Sequence, residues 1–235
     1  MSSRKLWIVS LFPQIIKTYL ENGVVSRLMS VQNIEIKILN PSEFNAKGFK
    51  GVDGRPYGGG PGMVMRADVL GKTIEEGIWP NYKNPKDDTK IIFTSPEGRL
   101  WCNDIAQNLF TSYTNPSKKL DLIFICGRYE GIDKRFIDLY VDEVYSLGNY
   151  VLSGGELAVL SIIDSSSRFL PGTLSNEESL IQESFQIGED DFDSPKWTRP
   201  FEFKDLKVPD VLVSGDHSAI KSFNNSQKPD KRQLK

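Results

Sequence analysis

The chain has 235 residues, 39% of them hydrophobic and 26% charged, which fits one large globular domain or two ordinary ones and excludes wholesale disorder. A net charge of −2 and a pI near 5.6 do not mark a nucleic-acid binder in bulk. No apolar run approaches the length of a membrane span, and Cys102 and Cys126 lack metal-ligand spacing, so a reduced, cytoplasmic setting without a membrane partner is expected.

In chain order, residues 5–12 alternate like a strand, too short for a signal segment and ended by Pro13. Residues 14–22 read as a helix with Pro13 in its first turn and Gly23 after it. Ile-Glu-Ile-Lys-Ile from Ile34 predicts a second strand, and a long loop then runs to Gly62. Residues 67–78 predict a helix, 80–88 a polar connector, and 90–94 a short strand. Asn103 or Asp104 is a candidate cap for the next helix. Residues 120–126 form the near-continuous apolar run of a buried parallel strand. A short helix over 133–139, a strand over 141–147 and a helix over 156–166 follow. Strands alternating with helices predict an α/β fold with a mainly parallel sheet. From Arg168 to Ser194 periodicity fades, acids accumulate and Pro171-Gly172 interrupts, as in an interdomain linker. Residues 195–235 read as a small helical unit with little core of its own. The basic tail from Lys221 suits a phosphate backbone, or is a solvated terminus.

Three glycine loops carry the chemistry. Gly54-Arg-Pro-Tyr-Gly-Gly-Gly-Pro-Gly62 has a glycine and proline density that no helix or strand interior tolerates. Gly127-Arg-Tyr-Glu-Gly131 and Gly148-Asn-Tyr-Val-Leu-Ser-Gly-Gly155 each follow a strand-like run, at the end where open α/β sheets place ligands. None matches a dinucleotide or P-loop pattern. A set of tight turns would also explain the glycines. Between them, however, Tyr129, Leu147, Tyr150 and Leu152 are suited to sandwich a flat ring, and Glu130 and Ser153 to meet amines or hydroxyls, as for a nucleoside.

These strings resemble one family. Arg55-Pro-Tyr-Gly-Gly-Gly-Pro-Gly-Met63, Cys126-Gly-Arg-Tyr-Glu-Gly-Ile-Asp133 and the stretch from Leu147 to Leu157 are similar to the bacterial tRNA (guanine-N(1)-)-methyltransferases. So are Asp164-Ser-Ser-Ser-Arg-Phe-Leu-Pro-Gly172 and Thr198-Arg-Pro200, in the same order along the chain. The resemblance implies a trefoil-knotted (SPOUT) α/β domain over 1–167, a linker over 168–194 and a C-terminal helical tRNA-binding domain over 195–235. It implies a homodimer with composite active sites. The reaction it implies is methylation, by S-adenosylmethionine, of N1 of the guanosine 3′ of the anticodon in tRNA, which supports reading-frame maintenance. Mg²⁺ assistance belongs to the same picture, without a site identified here.

Carried over residue by residue, the resemblance assigns the cofactor to Thr94, Ser95, Pro96, Gly127, Tyr129, Glu130, Gly131, Ser146, Leu147, Gly148, Tyr150, Leu152, Gly154 and Gly155. Removal of the N1 proton needs a base, and the charge moving onto the neighbouring carbonyl oxygen needs a cation. Glu183 stands where the family usually has an aspartate base, and Arg168 matches its arginine. Asp193, with Asp190 and Asp191 as rivals in register, matches an acid on the target guanine. Arg55, Arg128 and Ser184 are further substrate candidates. Ala158 replaces a common proline, and the tail beyond Asn224 departs from the family's usual arginine-rich end. Asp216 reads as a helix cap, which makes His217 a surface residue rather than a base. Two other readings remain open: an RNA-binding module without catalysis, and a knotted methyltransferase acting on another RNA.

Overall fold

The computed structural model describes residues 4–27, 31, 33–45, 51–114, 120–174, 183–185, 188 and 191–229. Among them, five strands form a parallel sheet in the order β2-β1-β6-β5-β7: β1 (Arg4–Val9), β2 (Ile34–Leu39), β5 (Thr89–Leu100), β6 (Asp121–Ile125) and β7 (Glu143–Ser146). The fold is α/β, with helices on both faces.

Alternation along the strands makes the two faces. Leu6, Ile8, Ile92, Leu122 and Phe124 point to one side, where α1 (Pro13–Leu20), α4 (Asn103–Thr114) and α6 (Glu156–Ser167) cover them. Trp7, Val9, Ile91, Phe93, Ile123 and Ile125 point to the other, against α2 (Ala67–Lys72) and α5 (Lys134–Tyr140). Because both faces are covered, β6 reads as a continuous apolar run rather than an alternating one.

Local chemistry moves several element bounds. Asp133 is the cap of α5 rather than its first residue, its carboxylate accepting from the Arg135 N–H at 2.9 Å. The expected helix over 67–78 narrows to α2 and continues as a wider π-helical stretch, Thr73–Ile78. The connector after it contains a turn of helix, α3 (Pro85–Asp88), opened by its proline.

The fifth strand departs most from expectation. It does not stop at Thr94. Ile92–Thr94 pair with Glu143–Tyr145, the register then shifts, and Arg99 and Leu100 pair with Tyr145 and Ser146. The segment Ser95–Gly98 is thrown out of the ladder as a bulge, where Pro96 has no N–H to contribute.

The glycine-rich stretch is the turn of a short antiparallel hairpin, β3 (Asp53–Gly54) with β4 (Val64–Met65). Gly58, Gly59, Gly60 and Gly62 all carry positive φ. The hairpin continues onto the second glycine loop: Met65 N–H donates to Gly131 O at 2.9 Å, Asp133 N–H to Met65 O at 3.0 Å, and Glu130 N–H to Met63 O at 2.9 Å.

The chain divides into two compact units, Met1–Ser175 and Asn176–Lys235. The second is helical at its end, in α7 (His217–Ser226), and adds a hairpin of β8 (Glu202–Phe203) and β9 (Leu206–Lys207) that periodicity did not show. Asp216 caps α7 through the Ser218 and Ala219 N–H groups, and His217 is exposed in its first turn.

Candidate active site

Three segments leave the C-terminal ends of adjacent strands and meet. They are the β5 bulge, the loop after β6 and the loop after β7. The Gly155 N–H donates to Gly127 O at 2.7 Å, and the Trp101 N–H to Ser146 O at 2.7 Å, which closes the ring of loops. Between them lies a cavity of about 220 Å³.

Its wall contains Thr94, Ser95, Pro96, Gly127, Tyr129, Glu130, Gly131, Ser146, Leu147, Tyr150, Leu152, Gly154 and Gly155. Of the expected cofactor residues only Gly148 is outside it; its N–H donates to Ser146 Oγ at 3.3 Å. Arg128 and Ser153, both singled out from the sequence, line it too, and among the described residues Phe93, Tyr145, Val151 and Ala158 are added to the wall. Sequence reasoning did not single out these last four for the site, because Phe93 and Tyr145 read simply as strand core.

Two local features tell what the cavity accepts. Thr94 Oγ1 is buried and has no hydrogen-bond partner among the described residues, a cost that a polar ligand would remove. At Gly155, a Cβ would sit 2.7 Å from Gly127 N and 2.9 Å from Cys126 Cα, so backbone lies against backbone there. Tyr129 adopts φ +60 without being glycine and is half exposed over the opening. Desolvation raises its phenol above the ordinary value, and the Asp53 carboxylate adds to the rise. It is therefore neutral, an aromatic face rather than an anion. The Glu130 side chain lies against Gly62, which joins the first glycine loop to the site.

The remaining candidates are spread over both units. Arg168 is the C-cap of α6 and half-buried. Arg55 is exposed on the glycine hairpin beside Tyr57, which is 98% exposed. Arg128 lines the cavity, but its guanidinium is ion-paired to Glu156. In the second unit, Glu183 is half-buried. Ser184 Oγ accepts from the Asp193 N–H at 3.0 Å. The Asp193 carboxylate accepts from Lys196 Nζ at 2.8 Å and from the Ser194 N–H at 2.7 Å. The Lys196 hydrogen bond, before all else, holds that carboxyl below its usual range, so Asp193 is an acceptor and not a proton-taking base. Of its rivals, Asp191 is engaged by Lys228 at 3.0 Å, and Asp190 lies outside the described residues.

Cys126 is buried at the end of β6, and desolvation pushes its thiol well up, which removes it as a nucleophile. Among the described residues no group of three or more His, Cys, Asp or Glu converges as for a metal, and no helix is long and apolar enough to cross a membrane.

Residues 4–235 match the family model described as tRNA (Guanine-1)-methyltransferase TrmD. Three proteins named tRNA (guanine-N(1)-)-methyltransferase are similar along nearly the whole length. That of Borrelia hermsii is 43% identical, covering 93% of this chain and 85% of its own. That of Pseudomonas savastanoi pv. phaseolicola is 38% identical over 97% and 86%. That of Buchnera aphidicola is 38% identical over 94% and 87%. By the family match over nearly its whole length, the chain belongs to the tRNA (guanine-1)-methyltransferase family.

Proposed function

We propose that this protein transfers the methyl group of S-adenosylmethionine to N1 of the guanosine 3′ of the anticodon in tRNA. The observation that supports it most is the convergence of the β5 bulge and the loops after β6 and β7 on one cavity, in a chain of this family. The residues fit the cofactor: an unpartnered buried hydroxyl at Thr94, side-chain-free wall at Gly127 and Gly155, and apolar and aromatic walls at Leu147, Leu152 and Tyr150. When bound, S-adenosylmethionine supplies an electrophilic methyl group on a sulfonium.

The chain's own residues then have distinct work. Glu183 takes the N1 proton, and Arg168 steadies the negative charge on the neighbouring carbonyl oxygen. Asp193, kept ionised by Lys196, accepts from the guanine edge. Arg55 and Ser184 are further substrate contacts. We assign the reaction domain to 1–167, the linker to 168–194 and tRNA binding to 195–235. The segment 195–235 carries nine Lys or Arg against five Asp or Glu, although the whole chain is slightly acidic. We also propose the trefoil knot and the homodimer with composite sites, a cytoplasmic setting, and an accessory role for Mg²⁺. The close backbone approach at Gly155 supports a chain passing through chain.

Methyl transfer to a tRNA bearing this guanosine, and to the same tRNA with adenosine there, tests the assignment. Transfer to the guanosine form alone is expected. Equal transfer to both would rule it out, and tRNA binding without transfer would favour the non-catalytic RNA-binding module.

A further inference from the structure

An ion pair with one fully buried partner stands at the wall of the cavity. Glu156 opens α6 and is 1% exposed. Its Oε1 accepts from Ser10 Oγ, just past β1, at 2.8 Å, and its Oε2 lies 2.8 Å from Arg128 Nη2. Arg128 sits between Gly127 and Tyr129. Its Nη1 donates to the Ser153 carbonyl at 3.2 Å, and its guanidinium carbon lies 4.3 Å from the centre of the Phe12 ring. One cation thus touches the loops after β1, β6 and β7 and the start of α6. At Gly154 a Cβ would fall 2.3 Å from Arg128 Nε, so the loop after β7 is shaped around this side chain.

A buried ion pair seldom pays in stability, because desolvating two charges offsets their attraction. Neither Arg128 Nε nor Glu156 Oε2 completes a hydrogen bond among the described residues, so the pair is a poor choice for stability alone. What it does is tie together two loops, Gly127–Gly131 and Leu152–Gly155, that both line the cavity. We propose that Arg128 and Glu156 are positioning residues: their ion pair holds the loops after β6 and β7 at the spacing S-adenosylmethionine requires. This rests on reading the cavity as the cofactor site. It moves Arg128 from substrate contact to support.

The test is calorimetric binding of S-adenosylmethionine to the full chain, with thermal unfolding and saturating-cofactor kinetics alongside. Glu156→Gln and Arg128→Met are expected to weaken cofactor binding by about tenfold each, within the coupling found for contacting pairs. The double variant should be no weaker than the worse single, because removing both charges leaves none buried unpaired. Arg128→Lys, the milder change, should recover part of the affinity. The rate at saturating cofactor should fall less than about threefold, well under the effect of removing a transition-state contact. Lower unfolding temperature with unchanged affinity would make the pair merely structural and overturn the proposal. Unchanged affinity with a collapsed rate would make Arg128 a substrate contact and also overturn it. If the wild-type chain bound no S-adenosylmethionine, the cofactor reading would fall and the positioning role with it.

Discussion

The backbone N–H of Gly155 donates to the carbonyl of Gly127 at 2.7 Å, and this bond draws the loop after β7 directly onto the loop after β6. Gly155→Ala would place a methyl 2.7 Å from Gly127 N, and neither backbone segment has a side chain that can swing away. We expect a loss of about 1–3 kcal/mol, the usual cost of overpacking, together with loss of cofactor binding. Thermal unfolding and calorimetry check both. Wild-type behaviour would mean that the two loops are not in contact.

Thr94 Oγ1 gives the opposite signature. With no partner in the chain, its replacement in Thr94→Val removes an unsatisfied hydroxyl at nearly equal volume. Stability should be unchanged or higher, while S-adenosylmethionine binding weakens by roughly 5- to 10-fold, the worth of one hydrogen bond. A destabilised variant with normal affinity would show that the hydroxyl serves the fold.

Glu183→Gln should slow single-turnover methyl transfer by roughly 10²–10⁴-fold with little loss of cofactor binding, as expected for a lost general base. Arg168→Ala should act on the same step. Glu183→Asp should retain activity if the linker accommodates a carboxylate of either reach. Near-normal single-turnover rates in both Gln and Ala variants would refute the assigned roles.

Composite sites predict complementation. Gly155→Trp and Glu183→Gln should each be inactive alone. After mixing and re-association, part of the activity should return, because one hybrid site then carries no lesion. Mixed dimers without recovery would place each site within one chain.

Asp193 offers a pH test. Its carboxyl is held down first by the Lys196 hydrogen bond, with help from the Ser194 N–H. A depressed folded value contributes stability above the unfolded value of about 3.9, and the contribution is lost as pH falls through the folded value. In Lys196→Met the Asp193 carboxyl should titrate higher than in the wild type, as read by carboxyl NMR. An unmoved titration would assign the depression to the backbone instead.

The sequence by itself determined the α/β class and pointed to the loops that line the cavity. Apolar runs such as Leu122–Ile125 mark buried parallel strands, and glycines at Gly127, Gly131, Gly154 and Gly155 mark loops rather than element interiors, because these signals are local. Only the tertiary structure decided what depends on contacts between distant segments. The β5 strand runs past Pro96 because Tyr145 and Ser146 offer it a second pairing after the bulge. The glycine hairpin reaches the site because Met63 and Met65 bond to Glu130, Gly131 and Asp133. No local pattern reveals that Arg128 is ion-paired to Glu156, buried 28 positions further on. Local propensity is written in neighbouring residues; the pairing of a buried charge is written only in the fold.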